Sequence, residues 1–352
     1  MDQIRLADKL IGKGMPCFVI AEAGVNHNGD LRLAKKLIDV ANGAGADAVK
    51  FQSFKADELV SKYAEKARYQ RHTRGDEESQ LEMIKKFELA EKDFGDLSAC
   101  ARKKEIVFLS SPFDRASVDT LDKLGVPAFK IPSGEITNFP LLRHIARKRK
   151  PIVLSTGMST LGEIEDAVGV IRKEGAEEVV LLHCVSSYPA RAEDMNLGVM
   201  KTLRCAFDLP VGLSDHTLGI TVPIAAVALG ACVIEKHFTL DKSLPGPDHR
   251  ASLEPGELKQ MIRAIREVEK AMGNGDKMPS KEEKQIQKAA RRSIVAAVSI
   301  PRGTIITGAM LAVKRPGTGV EPKYMHRVVG AVARRRIGQD EPLTMNKLEI
   351  GR

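Results

Sequence analysis

Residues 211–237 read VGLSDHTLGITVPIAAVALGACVIEKH, and this stretch decides the fold. A short apolar run ends in Ser214-Asp215-His216, a helical stretch follows over 220–229, and a second apolar run over 232–237 ends in Glu235-Lys236-His237. Strand, helix and strand in so short a span make a parallel pair joined by a crossover. Working outward, the same unit recurs. Candidate strands lie at 17–22, 48–52, 106–110, 128–131, 152–155, 179–184, 211–214 and 232–237, with amphipathic stretches at 31–44, 77–104, 162–174, 220–229 and 257–271 among them. Eight such units in about 250 residues is the arithmetic of a TIM (β/α)8 barrel.

Nearly every candidate strand ends in a polar residue: Glu22, Lys50 with Gln52, Ser110, Lys130 with Ser133, Ser155, His183, Ser214 with His216, and Glu235 with His237. A closed parallel barrel gathers those ends on one face, where active sites form. Solvation of strand ends alone does not call for so many Lys, Glu and His.

The composition, 43% hydrophobic and 29% charged over 352 residues, is that of a soluble globular protein. No run of about 18 apolar residues occurs and the first residues are polar, so no membrane span or secretion signal is expected and the cytoplasm is the expected compartment. Five widely spaced cysteines without a CxxC pair agree with a reducing location. The net charge of +9 is unevenly distributed. Residues 276–352 carry 16 Lys and Arg against 7 Asp and Glu, whereas residues 1–275 carry 39 of each sign. The chain therefore divides into a neutral catalytic barrel over 1–275, a linker over 276–292 with a charged helical run, and a basic, mostly β module over 293–352. With no Trp and 4% aromatics, a single-stranded nucleic-acid platform is not expected, although a polymer bound by the basic module is the non-enzymatic alternative.

Lys50 and Lys130 each interrupt an apolar run, and lysines in such settings need an anionic partner. A phosphate or carboxylate would satisfy both, helped by the hydroxyls of Ser133, Ser155 and Ser214 and by backbone N–H groups near Gly157. A Schiff-base lysine is the competing chemistry. His216 and His237, at the ends of adjacent strands, suit an open site for a divalent cation, with Mn2+ or Mg2+ favoured by oxygen ligands, unless both are hydrogen-bonded core histidines. Glu22, opening the loop EAGVNHNG (22–29), and Asp248, in the turn PGPDH (245–249), are placed to meet a polyol or to handle a proton. Arg315, in KRPGTG (314–319), presents a guanidinium on a Gly-rich turn of the basic module.

The motifs EAGVNHNG (22–29), ADAVKFQ (46–52), ESQLEMIKKFEL (78–89), FKIPSGE (129–135), STGMS (155–159), HCVSSYPA (183–190), GLSDHTLG (212–219), EKHFT (235–239), GPDH (246–249) and RPGTG (315–319) together resemble the sialic acid synthase family, meaning N-acetylneuraminate synthase and its legionaminic and pseudaminic acid relatives. The C-terminal module resembles the antifreeze-like (SAF) domain that the family carries. The resemblance implies a metal-dependent condensation of phosphoenolpyruvate with an open-chain N-acylated mannosamine, giving a nine-carbon 2-keto acid and phosphate. It puts N-acetylmannosamine first as the sugar, and a 2,4-diacetamido-2,4,6-trideoxymannose, the legionaminate precursor, second. By motif position, His216 and His237 would hold the metal, Mn2+ first with Mg2+ or Co2+ as alternatives. Lys50, Lys130, Ser133, Ser155 and Ser214 would hold phosphoenolpyruvate. Glu22, Gln52, Tyr188 and Asp248 would hold the sugar, and Ser186 stands where some members carry Asn. The resemblance also implies a domain-swapped homodimer in which Arg315 enters the site of a second copy and meets the N-acetyl group.

Overall fold

The computed structural model describes residues 3–66 and 78–350. Their contacts divide the chain into two compact units, Met1–Gly273 and Asn274–Arg352.

The first unit is a (β/α)8 barrel. Its strands β3 (Phe18–Gly24), β4 (Ala48–Ser53), β5 (Val107–Pro112), β6 (Phe129–Ile131), β7 (Ile152–Ser155), β8 (Val179–Cys184), β9 (Val211–Asp215) and β10 (Val233–His237) form one parallel sheet in the order β5-β4-β3-β10-β9-β8-β7-β6. The edge strands β5 and β6 stand side by side, so the sheet is nearly closed. The helices follow from local signals. Leu31–Ala44 is capped by the Asp30 side chain at its start and stopped by Gly45 in the left-handed region, and Leu161–Lys173 opens on a Thr160/Glu163 capping box. The expected helix over 77–104 is two helices, Gln80–Lys85 and Glu91–Lys103. Ser79 starts the first through a capping box, and Asp93 folds back on the backbone of Ala90 to start the second; Glu77 lies outside the described residues.

Side-chain alternation sorts the sheet into two faces. One set (Val19, Ala21, Val49, Phe51, Phe129, Leu154, Leu181, Leu213, Ile234) packs against the helices and forms the large outer core. The other (Phe18, Ile20, Ala48, Leu109, Ala128, Val153, Val180, Leu182, Val233) fills the lower half of the barrel. On that inner face the sequence turns polar toward the C-terminal ends, which makes the upper half a site. The strand spacing here has one tight point. At Gly212 in β9 a Cβ would stand 2.3 Å from the Val233 carbonyl oxygen and 2.8 Å from Leu182, so only a hydrogen fits.

The N-terminal residues, read above merely as polar, form an antiparallel hairpin of β1 (Gln3–Leu6) and β2 (Lys9–Gly12). Its Ile4, Leu6 and Ile11 join the inner core beneath the barrel and close its bottom. Each such burial contributes roughly 1.5–3 kcal/mol, and Lys9 ties the hairpin to Asp47.

The second unit is small and mostly β. It pairs β11 (Ser293–Ala296) with β12 (Leu311–Lys314) and β13 (Val332–Ala333) with β14 (Leu348–Glu349), both antiparallel. They enclose a core of Ile294, Ile300, Ile306, Val328, Ile337, Leu343 and Leu348. The charged run expected in the linker is a helix, Lys281–Ala290, opened by a Ser280/Glu283 capping box and tied by the Gly317 N–H to the Lys288 carbonyl.

Candidate active site

Four ionisable groups meet in the upper half of the barrel. Lys50 Nζ lies 2.8 Å from Glu22 Oε2 and 3.7 Å from Glu235 Oε2, and donates to Ser111 Oγ at 2.9 Å. Lys130 Nζ lies 3.4 Å from Glu235 Oε1, which also accepts from Ser214 Oγ at 2.9 Å. All of these side chains are buried. Glu235 thus serves both lysines. It belongs to the inner face because it sits two residues from both Val233 and His237, a period-2 signal that gives it a place the motif reading left unassigned.

The environment separates the two carboxylates. Burial pushes Glu22 from an ordinary 4.5 up to about 7, with Lys50 opposing. For Glu235 burial acts in the same sense, but Lys130, Lys50 and the Ser214 hydroxyl outweigh it and hold the group at about 2. Burial lowers Lys130 against the pull of Glu235, whereas for Lys50 the two carboxylates overcome burial and raise it. Glu22 therefore exchanges a proton near neutrality while Glu235 stays ionised.

Next to this cluster, the His216 and His237 ring centroids are 5.4 Å apart. His216 Nδ1 donates to the Val185 carbonyl at 2.8 Å, which leaves the Nε2 lone pair free. His237 Nδ1 is buried without a hydrogen-bond partner, and Asp248 Oδ2 stands 3.9 Å away. Burial, then His216 and Lys50, keep His237 well below its usual value, so it is a neutral imidazole. For His216 burial is outweighed by Cys184 and the Val185 carbonyl, which raise it. Two neighbouring buried imidazoles, one oriented by a carbonyl on its Nδ1 and the other neutral with an unpartnered Nδ1, are nitrogen donors of the kind that suit a divalent cation. Tyr188 lies over His216 with centroids 4.1 Å apart and meets His237 edge-on at 5.7 Å.

Beside His216, whose Nδ1 lies 3.8 Å from Cys184 Sγ, the side chains of Ser133, Ser186 and Cys184 surround Gly157. A Cβ at 157 would stand 2.4 Å from Ser186 Oγ, 2.8 Å from Ser133 Oγ and 3.1 Å from Cys184 Sγ, and the Gly157 N–H donates to Ser133 Oγ at 2.9 Å. Ser155 Oγ, buried beneath, has no hydrogen-bond partner. Hydroxyls and a bare backbone beside Lys130 form a cradle for an anion. Cys184 went unassigned in the motif reading, and the same alternation that places Glu235 turns it inward.

Other polar residues of the loops and strand ends have structural partners. His183 faces outward as a hydrogen-bonding wall residue, where Nε2 donates to the Met195 carbonyl at 2.6 Å, because it alternates with Cys184. Asn26 and Asn28 make side-chain hydrogen bonds within the loops. Asn26 Nδ2 donates to the Phe238 carbonyl at 2.8 Å and to Ser252 Oγ at 2.9 Å, and Asn28 Oδ1 lies 3.2 Å from His249 Nε2. Their work is to fasten the loop after β3 to the loop after β10, which fixes Asp248, whose own carbonyl accepts from Ser252 Oγ at 2.7 Å. Asp248 is pushed by burial to about 6. Gln52 Nε2 is 3.4 Å from Glu22 Oε1. Arg315 lies on an exposed turn of the second unit.

The NeuB family profile matches residues 37–277, and the SAF domain profile matches residues 291–349. The chain belongs to the NeuB family. This NeuB-family chain is 53% identical to the N,N'-diacetyllegionaminic acid synthase of Campylobacter jejuni, over 92% of its own length and 97% of that protein's. It is 51% identical to the N,N'-diacetyllegionaminic acid synthase of Legionella pneumophila, over 91% of each chain. Among solved structures, the N-acetylneuraminic acid synthetase of Leptospira borgpetersenii superposes with a TM-score of 0.72 at 37% identity, covering 81% of this chain and 95% of that one. The barrel, the C-terminal SAF domain and the synthase class expected from the motifs thus stand.

Proposed function

We propose that the protein is an N,N'-diacetyllegionaminic acid synthase, joining phosphoenolpyruvate to 2,4-diacetamido-2,4,6-trideoxymannose and releasing phosphate. The motif reading put N-acetylmannosamine first. The diacetamido sugar takes its place because two relatives sharing 53% and 51% of their residues with this chain are both legionaminate synthases, while the neuraminate synthetase shares 37%. The observation that supports a synthase is structural: two buried amines lie beside an anion cradle at the same end of the barrel as two buried, neighbouring imidazoles.

In this reading Lys50 and Lys130 hold the carboxylate and phosphate of phosphoenolpyruvate, with Ser133, Ser155, Ser186, Ser214 and the Gly157 N–H around them. Gln52, Tyr188 and Asp248 hold the sugar. C3 of the enol phosphate attacks the aldehyde carbon and charge develops at C2. Water adds at C2, and C–O cleavage expels phosphate. Glu22, poised near neutrality, moves the proton at the new hydroxyl. His216 and His237 would hold a divalent cation, Mn2+ first, which would supply Lewis acidity toward the aldehyde oxygen. Among the described residues no group of three or more His, Cys, Asp or Glu is arranged to hold a metal ion, so the protein would supply the two imidazoles. Arg315 of a second copy reaches the N-acetyl group in a swapped homodimer. No described helix is long and apolar enough to cross a membrane, and the five cysteines are free thiols, which supports a cytoplasmic location.

Phosphate release from phosphoenolpyruvate, measured with each sugar in turn, tests the proposal. Faster turnover with the diacetamido sugar is the expected result. Preference for N-acetylmannosamine overturns the legionaminate assignment, and no release with either overturns the synthase.

A further inference from the structure

Behind the imidazoles, on the helix-facing side of the barrel wall, Asp215 and Lys236 form an ion pair with both side chains at 0% exposure. They sit directly opposite one another in the β9/β10 register, and theirs is the last rung of that ladder. Each is the immediate neighbour of an imidazole, Asp215 of His216 and Lys236 of His237. We propose that this pair is a clamp that sets the separation of the two imidazoles and thereby the affinity of the site for its divalent cation. The proposal rests on the metal reading given above and adds positioning residues to it.

Three observations support it. Past the last rung no backbone bond ties the end of β9 to β10, so the chain bearing His216 needs another anchor. Asp215 and Lys236 provide one by converging on Thr217, the residue after His216. Asp215 Oδ1 accepts the Thr217 N–H at 3.1 Å, Asp215 Oδ2 accepts the Thr217 hydroxyl at 3.0 Å, and Lys236 Nζ donates to both Asp215 Oδ2 and the Thr217 carbonyl. His216 is thus held from both flanks, while its own carbonyl accepts the Ala190 N–H at 2.9 Å. Finally, a buried ion pair is a poor device for stability, since well-packed apolar residues replace such pairs at little or no cost. A pair with no exposure, one residue from each of two paired imidazoles, serves geometry better than it serves stability. Hydrogen-bonded groups behind metal ligands typically control affinity by about 10- to 100-fold.

The test is Mn2+ binding to the full chain, followed by the electron paramagnetic resonance signal of the free ion, for the wild type, the double variant Asp215→Asn/Lys236→Met and the variant Thr217→Val. The double variant removes both charges while leaving an amide oxygen for the Thr217 N–H. It is expected to bind Mn2+ about 10- to 100-fold more weakly, with a shifted Co2+ visible spectrum and a metal-free unfolding midpoint close to the wild type's. A folded double variant that binds Mn2+ like the wild type overturns the clamp. If the double variant does not fold, Thr217→Val carries the test: loss of one hydroxyl bond should weaken binding about threefold, and unchanged affinity overturns the proposal. A wild type that turns over without binding Mn2+ overturns the metal reading itself, which separates that failure from failure of the clamp.

Discussion

Glu235→Gln isolates what one carboxylate does for two amines. The glutamine keeps an oxygen for the Ser214 hydroxyl and nearly the same volume, so the change is one of charge. Lys130 Nζ stands 3.4 Å from Glu235 Oε1. At an effective dielectric constant of about 20, two unit charges at that distance attract by about 5 kcal/mol. If relaxation leaves only half of this, the proton on Lys130 is still held more weakly by well over one pH unit. The sign follows from the chemistry of an amine. Burial already lowers Lys130 and Glu235 opposes that lowering, so removing the carboxylate lowers it further, and the charged form that grips phosphoenolpyruvate is lost at a lower pH. The assay is kcat/KM for phosphoenolpyruvate from about pH 6 to 10 by phosphate release. The alkaline limb should move to lower pH by about one to three units in the variant. An active, folded variant whose alkaline limb coincides with the wild type's would refute the idea that Glu235 maintains the charge on Lys130.

The other expectations concern separate parts of the molecule. His216→Ala and His237→Ala should each abolish turnover with the fold intact by circular dichroism, and EDTA should silence the wild type; undiminished rates in metal-free buffer would contradict the metal role. Arg315→Ala should raise KM for the acylated sugar more than KM for phosphoenolpyruvate. Mixed with a Lys130→Met chain it should regain activity, since heterodimers of a swapped pair contain one intact site, and no recovery would count against swapping. Ile11→Ala, beneath the barrel, should lower stability by about 2–5 kcal/mol in urea unfolding without changing substrate preference; a shift under about 1 kcal/mol would show that the hairpin does not plug the core.

The barrel was legible because its signals are local. Each strand is a short apolar run, and each polar end marks the mouth, so Lys50, Lys130, Ser214, His216 and His237 could be placed before any coordinates. Glu235 and Cys184 were within reach of the same reasoning, since counting by twos from Val233 or Val180 turns both inward. What stayed hidden depends on partners distant in sequence. The partners of Asn26, the Phe238 carbonyl and Ser252, lie more than 200 residues away in sequence. Ile4, Leu6 and Ile11 make a hairpin only because the open bottom of the barrel offers them somewhere to be buried.

Gly212 sits low in the barrel wall, where a side chain would collide with the neighbouring strand. With only a hydrogen on that carbon, β9 and β10 run close together beneath His216 and His237, each ring four residues further up its strand from Gly212 and Val233. A methyl group would act as a wedge low in the wall, and a small angle opened there widens with distance along the strands. The reacting end of the barrel is thus gauged from its inert end, by a residue that no substrate ever touches.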